Sequence, residues 1–427
     1  MKYNLNDKPG IVPMLMYGLQ WFIVTVPCLV IIGIVAAGIH STDTAEQIFY
    51  LQKIFVVMGL ATIIQVWWGH KLPLVIGPAS VLLIGVVSAQ SSGASATYTA
   101  IMVGGVLLSI LAYSGLLQKI RFVFTPRVIT VILIMIALTL SPVILNLIVS
   151  DSAHIAFNLM LALVFTFVLV IVNNILKGVW KSTTIIWGML GGSIIYYLAN
   201  GFSVASLSNI RNFGFDTHLS LSILPLEFNI GTILAFIFCF IALIINELGS
   251  IEAVAQMLKA DHVDKRVKRG VGILGFSNIT SGFLGIIGPV DFSMSTGIIS
   301  STQCASRYTL IPAGIGLIFC AFFPPVISLL SNVPDVVLGC IMLYLMSTQF
   351  ASGLVMLVLE KCIVSFNNAL TVGLSLMVAL IISFVPKSAF EYFPLILHPI
   401  ISNGFVMGVI TVLILEHIVF TEKQKTG

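Results

Sequence analysis

The chain reads as an all-α polytopic membrane protein of fourteen transmembrane segments, arranged as two inverted seven-span repeats with broken half-helix crossings at spans 3 and 10. Three observations predict this. Of 427 residues, 58% are hydrophobic and 8% are charged, against roughly 25% charged in soluble globular chains, which excludes a water-soluble enzyme. The apolar residues fall in runs of about 20, and at about 1.5 Å of rise per residue each run crosses a hydrocarbon core of about 30 Å as helix. Two of the segments are too short to cross that way and share a tripeptide, which makes them the informative ones.

Taken in order, the apolar runs and their polar or Pro/Gly breaks place spans at 11–38, 49–69, 75–90, 98–118, 126–150, 154–177, 181–200, 229–258, 268–287, 293–304, 307–331, 335–357, 363–385 and 395–420. Met1 to Gly10 is too short and too polar for a cleavable signal, so the first run is expected to be a span of the mature protein. With the N-terminus in the cytoplasm, the loops of that side hold seventeen of the Lys and Arg residues, and the other side holds Lys53, Arg211 and Lys387. That asymmetry follows the positive-inside rule and places both termini in the cytoplasm. The formal charge of +4 therefore reports topology and implies no nucleic-acid partner. The basic run Lys259 to Arg269 is read the same way, as a cytoplasmic loop beside anionic lipid. Six Cys, at 28, 239, 304, 320, 340 and 362, lie mostly inside apolar runs without metal-ligand spacing and read as small buried hydrophobes. No metal and no cofactor is expected.

The third segment opens with Leu72-Pro73-Leu74-Val75-Ile76-Gly77-Pro78-Ala79-Ser80 and the tenth with Ile286-Ile287-Gly288-Pro289-Val290-Asp291-Phe292-Ser293. In each, Ile-Gly-Pro leads through small residues into a short Gly-containing helix that ends near Gln90 or Gln303. An extended stretch must complete each crossing, and non-helical backbone at that depth is tolerated only where it is buried in protein or lines a cavity. The pair points to a central site. The two lie seven spans apart, an odd number, so the halves have opposite topology.

Among the acidic residues, Glu247, Glu252 and Asp291 lie within apolar stretches. A buried carboxylate costs several kcal/mol unless it is paired, protonated or facing water. Glu247 lies on a small, polar helical face with Asn246, Ser250 and Ala253, where it can take a proton or accept a solute N–H; a structural hydrogen bond to a neighbouring helix is the plainer reading. Glu252 is about 140° further around the helix and nearer the cytoplasm, where a loop Lys or Arg is its expected partner. Asp291 precedes the tenth half-helix and is expected to cap it, bind a cation or stand in for a site residue. Ser80, Ser293, Ser295 and Thr296 bring hydroxyls to the two half-helix starts. Phe292 suits stacking or packing, Gln20 needs partners, and Trp21 suits a membrane interface.

These pieces resemble the nucleobase/ascorbate transporter family, its bacterial uracil and xanthine permeases above all, over nearly the whole chain. The resemblance rests on Leu19-Gln20-Trp21, Lys71-Leu72-Pro73 through Ser80, Glu247, Ser281-Gly282-Phe283-Leu284-Gly285, and Ser295-Thr296-Gly297 through Thr302-Gln303. It implies a core domain from residues 1–125 (spans 1–4) and 229–333 (spans 8–11), and a gate domain from 126–228 (spans 5–7) and 334–427 (spans 12–14). It implies a homodimer in a bacterial cytoplasmic membrane, with a solute held between the half-helices of spans 3 and 10. By the same register Glu247 falls on the span 8 carboxylate that holds ring N–H groups of a base, while Cys28, Ser80, Phe292, Ser293, Met294 and Ser295 fall at or beside the substrate. Proton coupling is carried over to Glu247, with Asp291 as a second candidate.

Several positions depart from the family pattern. Met294 stands where a Glu or Gln is usual, Ser295 for Asn, Trp21 for His, Gly249-Ser250-Ile251 for a Gly-Asp or Gly-His, and Gln303 for Arg. With Met294, a two-point polar grip on a base edge is lost. The function expected is proton-coupled symport of a uracil- or xanthine-like nucleobase, or a related small planar solute, into the cell. The alternative is an anion exchanger or uniporter of the sulfate-permease type on the same fold, against which stand Glu247 and a chain that stops after Thr421 to Gly427. A non-transporting sensor leaves the buried carboxylates and broken crossings unexplained, and no catalytic cluster suggests an enzyme.

Overall fold

A computed structural model describes residues 1–117, 123, 125–150, 154–177, 179–201, 223–390, 392–394 and 397–420. Lys119, Arg121, Arg211, Lys423 and Lys425, which entered the charge asymmetry, lie outside these residues. The chain runs through α1 (Ile11–His40), α2 (Thr44–Trp67), β1 (Val75–Pro78), α3 (Ser80–Ser88), α4 (Gly93–Ser114), α5 (Pro126–Thr139), α6 (Ser141–Ile148), α7 (Ile155–Ile175), α8 (Val179–Ser182) and α9 (Thr184–Asn200). It continues with α10 (Ile230–Met257), α11 (Val263–Phe283), β2 (Pro289–Phe292), α12 (Ser295–Thr302), α13 (Leu310–Ala321), α14 (Pro324–Ser331), α15 (Asp335–Leu359), α16 (Phe366–Phe384), α17 (His398–Ile401) and α18 (Gly404–Ile414). Among the described residues, eight helical stretches are long and apolar enough to cross a membrane, and Arg307–Ala321 and Gly404–Val419 are shorter apolar ones.

Local chemistry sets the helix ends. Asp43, Thr125, Asn229, Ser365 and Asn403 each accept a backbone N–H from the first turn of the helix they precede, which removes one of its orphan donors. Two expected spans are interrupted. Span 5 divides at Leu140, because Pro142 lacks an N–H and starts α6 instead of continuing α5. Span 11 divides at Phe322 and Phe323, immediately before Pro324 and Pro325 restart the chain as α14.

The tightest packing joins elements from opposite halves of the chain. α4 lies against α11 so closely that a Cβ on Gly105 would stand 2.7 Å from Gly275 O, and one on Gly282 would stand 2.6 Å from Tyr98 O. α2 lies against α13 in the same manner, with a Cβ on Gly59 standing 2.6 Å from Gly314 O. Small residues at these contacts let helix backbones meet where lipid supplies no hydrophobic drive. On the span numbering expected from the sequence, exchanging the halves turns span 4 on span 9 into span 11 on span 2, which makes one contact the counterpart of the other. Elsewhere α15 packs on α5, α6 and α7, and α16 on α18 and α5. Arg127 Nη1 meets Glu416 Oε2 at 2.6 Å, tying α5 to the stretch that follows α18.

Both short segments are broken crossings. β1 pairs antiparallel with β2 in the register Val75↔Phe292, Ile76↔Asp291, Gly77↔Val290 and Pro78↔Pro289, and each strand feeds a half-helix, α3 or α12. This two-stranded ladder satisfies backbone polar groups that lipid could not. Pro78 and Pro289 face one another at its end, a pair that donates no N–H, and the Ala79 N–H donates to Gly288 O just beyond at 2.9 Å.

Candidate functional site

The glycines of the shared tripeptide are explained by what crosses them. A Cβ on Gly77 would stand 2.6 Å from ring carbons of Phe292, and one on Gly288 would overlap Asn278 Oδ1. Phe292, half-buried, is thus packed on the opposite crossing. Asn278 of α11 donates through Nδ2 to Pro289 O at 3.2 Å and Leu274 O at 2.9 Å. Ser295 is fully buried, and its hydroxyl is committed to the junction: Oγ donates to Phe292 O at 2.7 Å and accepts Val75 N–H at 2.9 Å. Thr296 Oγ1 likewise donates to Ser293 O.

α10 runs alongside β2 and completes its hydrogen bonding. Glu247 and Ser250, three apart and so on one helical face, both reach Asp291. The Asp291 N–H donates to Glu247 Oε2 at 3.1 Å, and Ser250 Oγ donates to Asp291 O at 3.0 Å. Through the first of these bonds the Glu247 carboxyl is brought beside Asp291. Both side chains are completely buried. Asp291 does not cap α12, whose preceding residue Met294 makes no side-chain cap bond either; its carboxyl turns instead to His70, with Nε2 standing 3.2 Å from Asp291 Oδ2.

His70 is the member of this cluster that the sequence reading missed. It lies in the turn Gly69-His70-Lys71 ahead of β1, where a lone polar residue has no periodic partner to reveal it. Its Nδ1 accepts Leu72 N–H at 2.9 Å, its own N–H donates to Gln65 Oε1 at 3.2 Å, and Gln65 Nε2 donates to Gly270 O at 2.9 Å. Arg266, from the basic run read as a topology determinant, donates through Nη1 to His70 O at 2.9 Å and to Lys71 O at 3.0 Å. These bonds hold Lys71 at φ 58, in the left-handed region. The other crossing is held in a corresponding way: Lys53 Nζ of α2 donates to Leu284 O at 3.1 Å, and Tyr50 OH accepts Ile287 N–H at 2.9 Å.

α10, which carries Glu247, and α12, which follows the β2 strand of Asp291, also present open surface. Ser293, just before α12, and Gly297 and Ser300 along it are exposed, and a Cβ on Gly297 would meet nothing within 4 Å. Along α10, Gly249, Ala253 and Gln256 are exposed, and a Cβ on Gly249 also meets nothing within 4 Å. Ser80 and Met294 are half-buried beside the crossings, while Cys28 is buried in α1 with its thiol 3.8 Å from Val24 O. Trp21 is no interface aromatic: it is 2% exposed and donates through Nε1 to Thr309 Oγ1 at 3.0 Å. Among the described residues, no group of three or more His, Cys, Asp or Glu is arranged to hold a metal ion.

Two broken crossings joined at their strands, a buried polar cluster beside them and a surround of apolar helices define a multi-pass membrane transporter. The Permease family, named for its xanthine and uracil permeases, matches residues 13–388, and the chain belongs to it. It is 25% identical over 400 residues to the xanthine permease of Bacillus subtilis, covering 90% of this chain and 89% of that one. It is 24% identical over 388 residues to the uric acid permease PucJ of the same organism, covering 87% and 85%. Similar proteins are thus permeases, not enzymes. The fold resembles the transmembrane domain of the cyanobacterial bicarbonate transporter BicA, with a TM-score of 0.63 at 16% identity, covering 87% of this chain and 95% of that one. It also resembles murine Slc26a9, an anion transporter, with a TM-score of 0.62 at 13% identity, covering 96% and 68%.

Proposed function

We propose that the chain is a proton-coupled symporter that carries a uracil- or xanthine-like nucleobase, or a related small planar solute, into the cell. The observation that carries this reading is a buried carboxyl pair, Glu247 on α10 and Asp291 on β2, next to an open strip of small residues on α10 and on the α12 half-helix that β2 feeds. A carboxyl shielded from water and next to another is suited to taking and releasing one proton. Relatives named for xanthine and uric acid support the solute class. On this reading Glu247 accepts a ring N–H when its present bonds to β2 loosen, with Ser80, Cys28, Phe292, Ser293, Met294 and Ser295 around the solute. Met294 leaves the site with one acidic anchor where two polar ones would grip a base edge more selectively.

The same reading takes residues 1–125 and 229–333 as a core that moves against a gate formed by 126–228 and 334–427. It places both termini in the cytoplasm of a bacterial cell and the protein in its cytoplasmic membrane as a homodimer. The counterpart contacts of α4 on α11 and α2 on α13 support two inverted repeats. A carboxyl pair beside the strip disfavours an inorganic anion as cargo.

Uptake of radiolabelled uracil and xanthine into proteoliposomes with an imposed inward proton gradient tests the proposal. The wild type accumulates solute with the gradient, and Glu247→Gln loses the gradient-driven part while retaining slow equilibration. Equal gradient-driven uptake by both proteins sinks the proton role, and uptake of sulfate or bicarbonate in place of bases sinks the substrate class.

A further inference from the structure

Three side chains at the junction of the crossings, His70, Glu247 and Asp291, are completely buried and short of partners. His70 Nε2, Glu247 Oε1 and both Asp291 carboxyl oxygens make no well-aligned hydrogen bond in this structure. Buried polar groups left so are costly, and each calls for an explanation. Two adjacent carboxyl groups in an apolar interior cannot both be charged without strong repulsion, so the pair holds one proton. The question is which residue holds it.

His70 answers it. Because Nδ1 accepts the Leu72 N–H, the ring hydrogen is on Nε2, 3.2 Å from Asp291 Oδ2. A second ring proton would have to enter at Nδ1 and expel the Leu72 N–H, so the ring stays neutral and presents a donor to Asp291. The charged neighbour on this side is Arg266 of α11, on the carbonyls of His70 and Lys71. From the other elements packed on β2, β1 offers no charge, α11 offers the neutral Asn278, and α10 offers Glu247. Glu247 Oε2 accepts the Asp291 N–H, a bond its carbonyl oxygen keeps when Oε1 carries the proton, whereas Asp291 Oδ2 has the His70 ring nitrogen at 3.2 Å. An anion is less costly at Asp291, which faces the His70 N–H and can accept the Glu247 O–H. We propose that His70 is a positioning residue that holds Asp291 as the charged member of the pair and thereby leaves the shared proton on Glu247. The functional reading above is what gives that proton a use, yet the assignment itself needs neither solute nor gradient.

Infrared difference spectra of the full chain in lipid at neutral pH test it. Replacing Glu247 by Gln keeps an acceptor for the Asp291 N–H. Glu247→Gln removes one protonated-carboxyl C=O stretch and no carboxylate stretch. In the Glu247→Gln background, His70→Asn keeps an oxygen where Nδ1 receives Leu72 N–H but withdraws the group that faces Asp291. A protonated-carboxyl stretch returns there as Asp291 takes a proton. His70→Gln in the same background restores a donor at the Nε2 position, and the stretch stays absent. Loss of a carboxylate stretch in Glu247→Gln overturns the assignment, and a His70→Asn spectrum identical to that of His70→Gln overturns the role of His70. Should His70→Asn fail to fold, the Glu247→Gln spectrum still decides which acid carries the proton. Failure of proton-driven uptake leaves these spectra readable, so the two proposals fail separately.

Discussion

At the scale of single residues, space and not chemistry alone marks the candidate seat. Gly297 is exposed on α12, and a Cβ there meets nothing within 4 Å. Gly297→Phe is therefore expected to change stability by no more than about 0.5 kcal/mol, as at other unobstructed surface positions. The same ring fills the proposed solute space, and uptake of uracil and xanthine falls to background. Checking both needs a thermal melt and an uptake assay on one preparation; a variant that melts normally and transports normally removes this strip from the solute path. Glu247 was legible at this scale because a carboxyl inside an apolar run is costly and so conspicuous. His70 was not, since its partner Asp291 is close only after the crossings fold. Ser295 was legible as a half-helix hydroxyl but not as the acceptor of Val75 N–H, a bond that joins opposite halves of the chain.

At the scale of elements, the broken crossings were readable from length: a stretch too short to span as helix forces extended backbone. Their partnership as one ladder was not readable, because four residues of Val-Ile-Gly-Pro or Pro-Val-Asp-Phe carry too little alternation to announce a strand. Helix contacts through small residues were equally silent, since Gly is frequent throughout such a chain. Their importance is testable at α4 and α11. A Cβ on Gly275 would stand 2.8 Å from Gly105 O and 2.2 Å from Ser109 Oγ. Gly275→Leu must push the helices apart, at a cost of about 1–3 kcal/mol or more. The melting midpoint is expected to drop and the yield of folded protein with it; an unchanged midpoint shows that this contact yields without strain.

At the scale of the whole molecule, water has to reach the half-helix tips for any solute to do so. Ser293 is exposed, whereas Cys28, Cys239, Cys304, Cys340 and Cys362 are buried and Cys320 is partly so. Ser293→Cys is expected to react with a membrane-impermeant thiol reagent in sealed membranes, well above the background of the native thiols, and bound uracil or xanthine slows that reaction. Labelling no faster than the wild type shows that the tip faces lipid or protein. The Val75–Phe292 register has a mechanical corollary for a molecule of this size. With β1 stitched to β2 and Ser295 Oγ pinned to the Val75 N–H, neither tip can travel alone. On the proposed reading, a solute seated there is expected to move with a single stiff plank, not to be squeezed between two jaws.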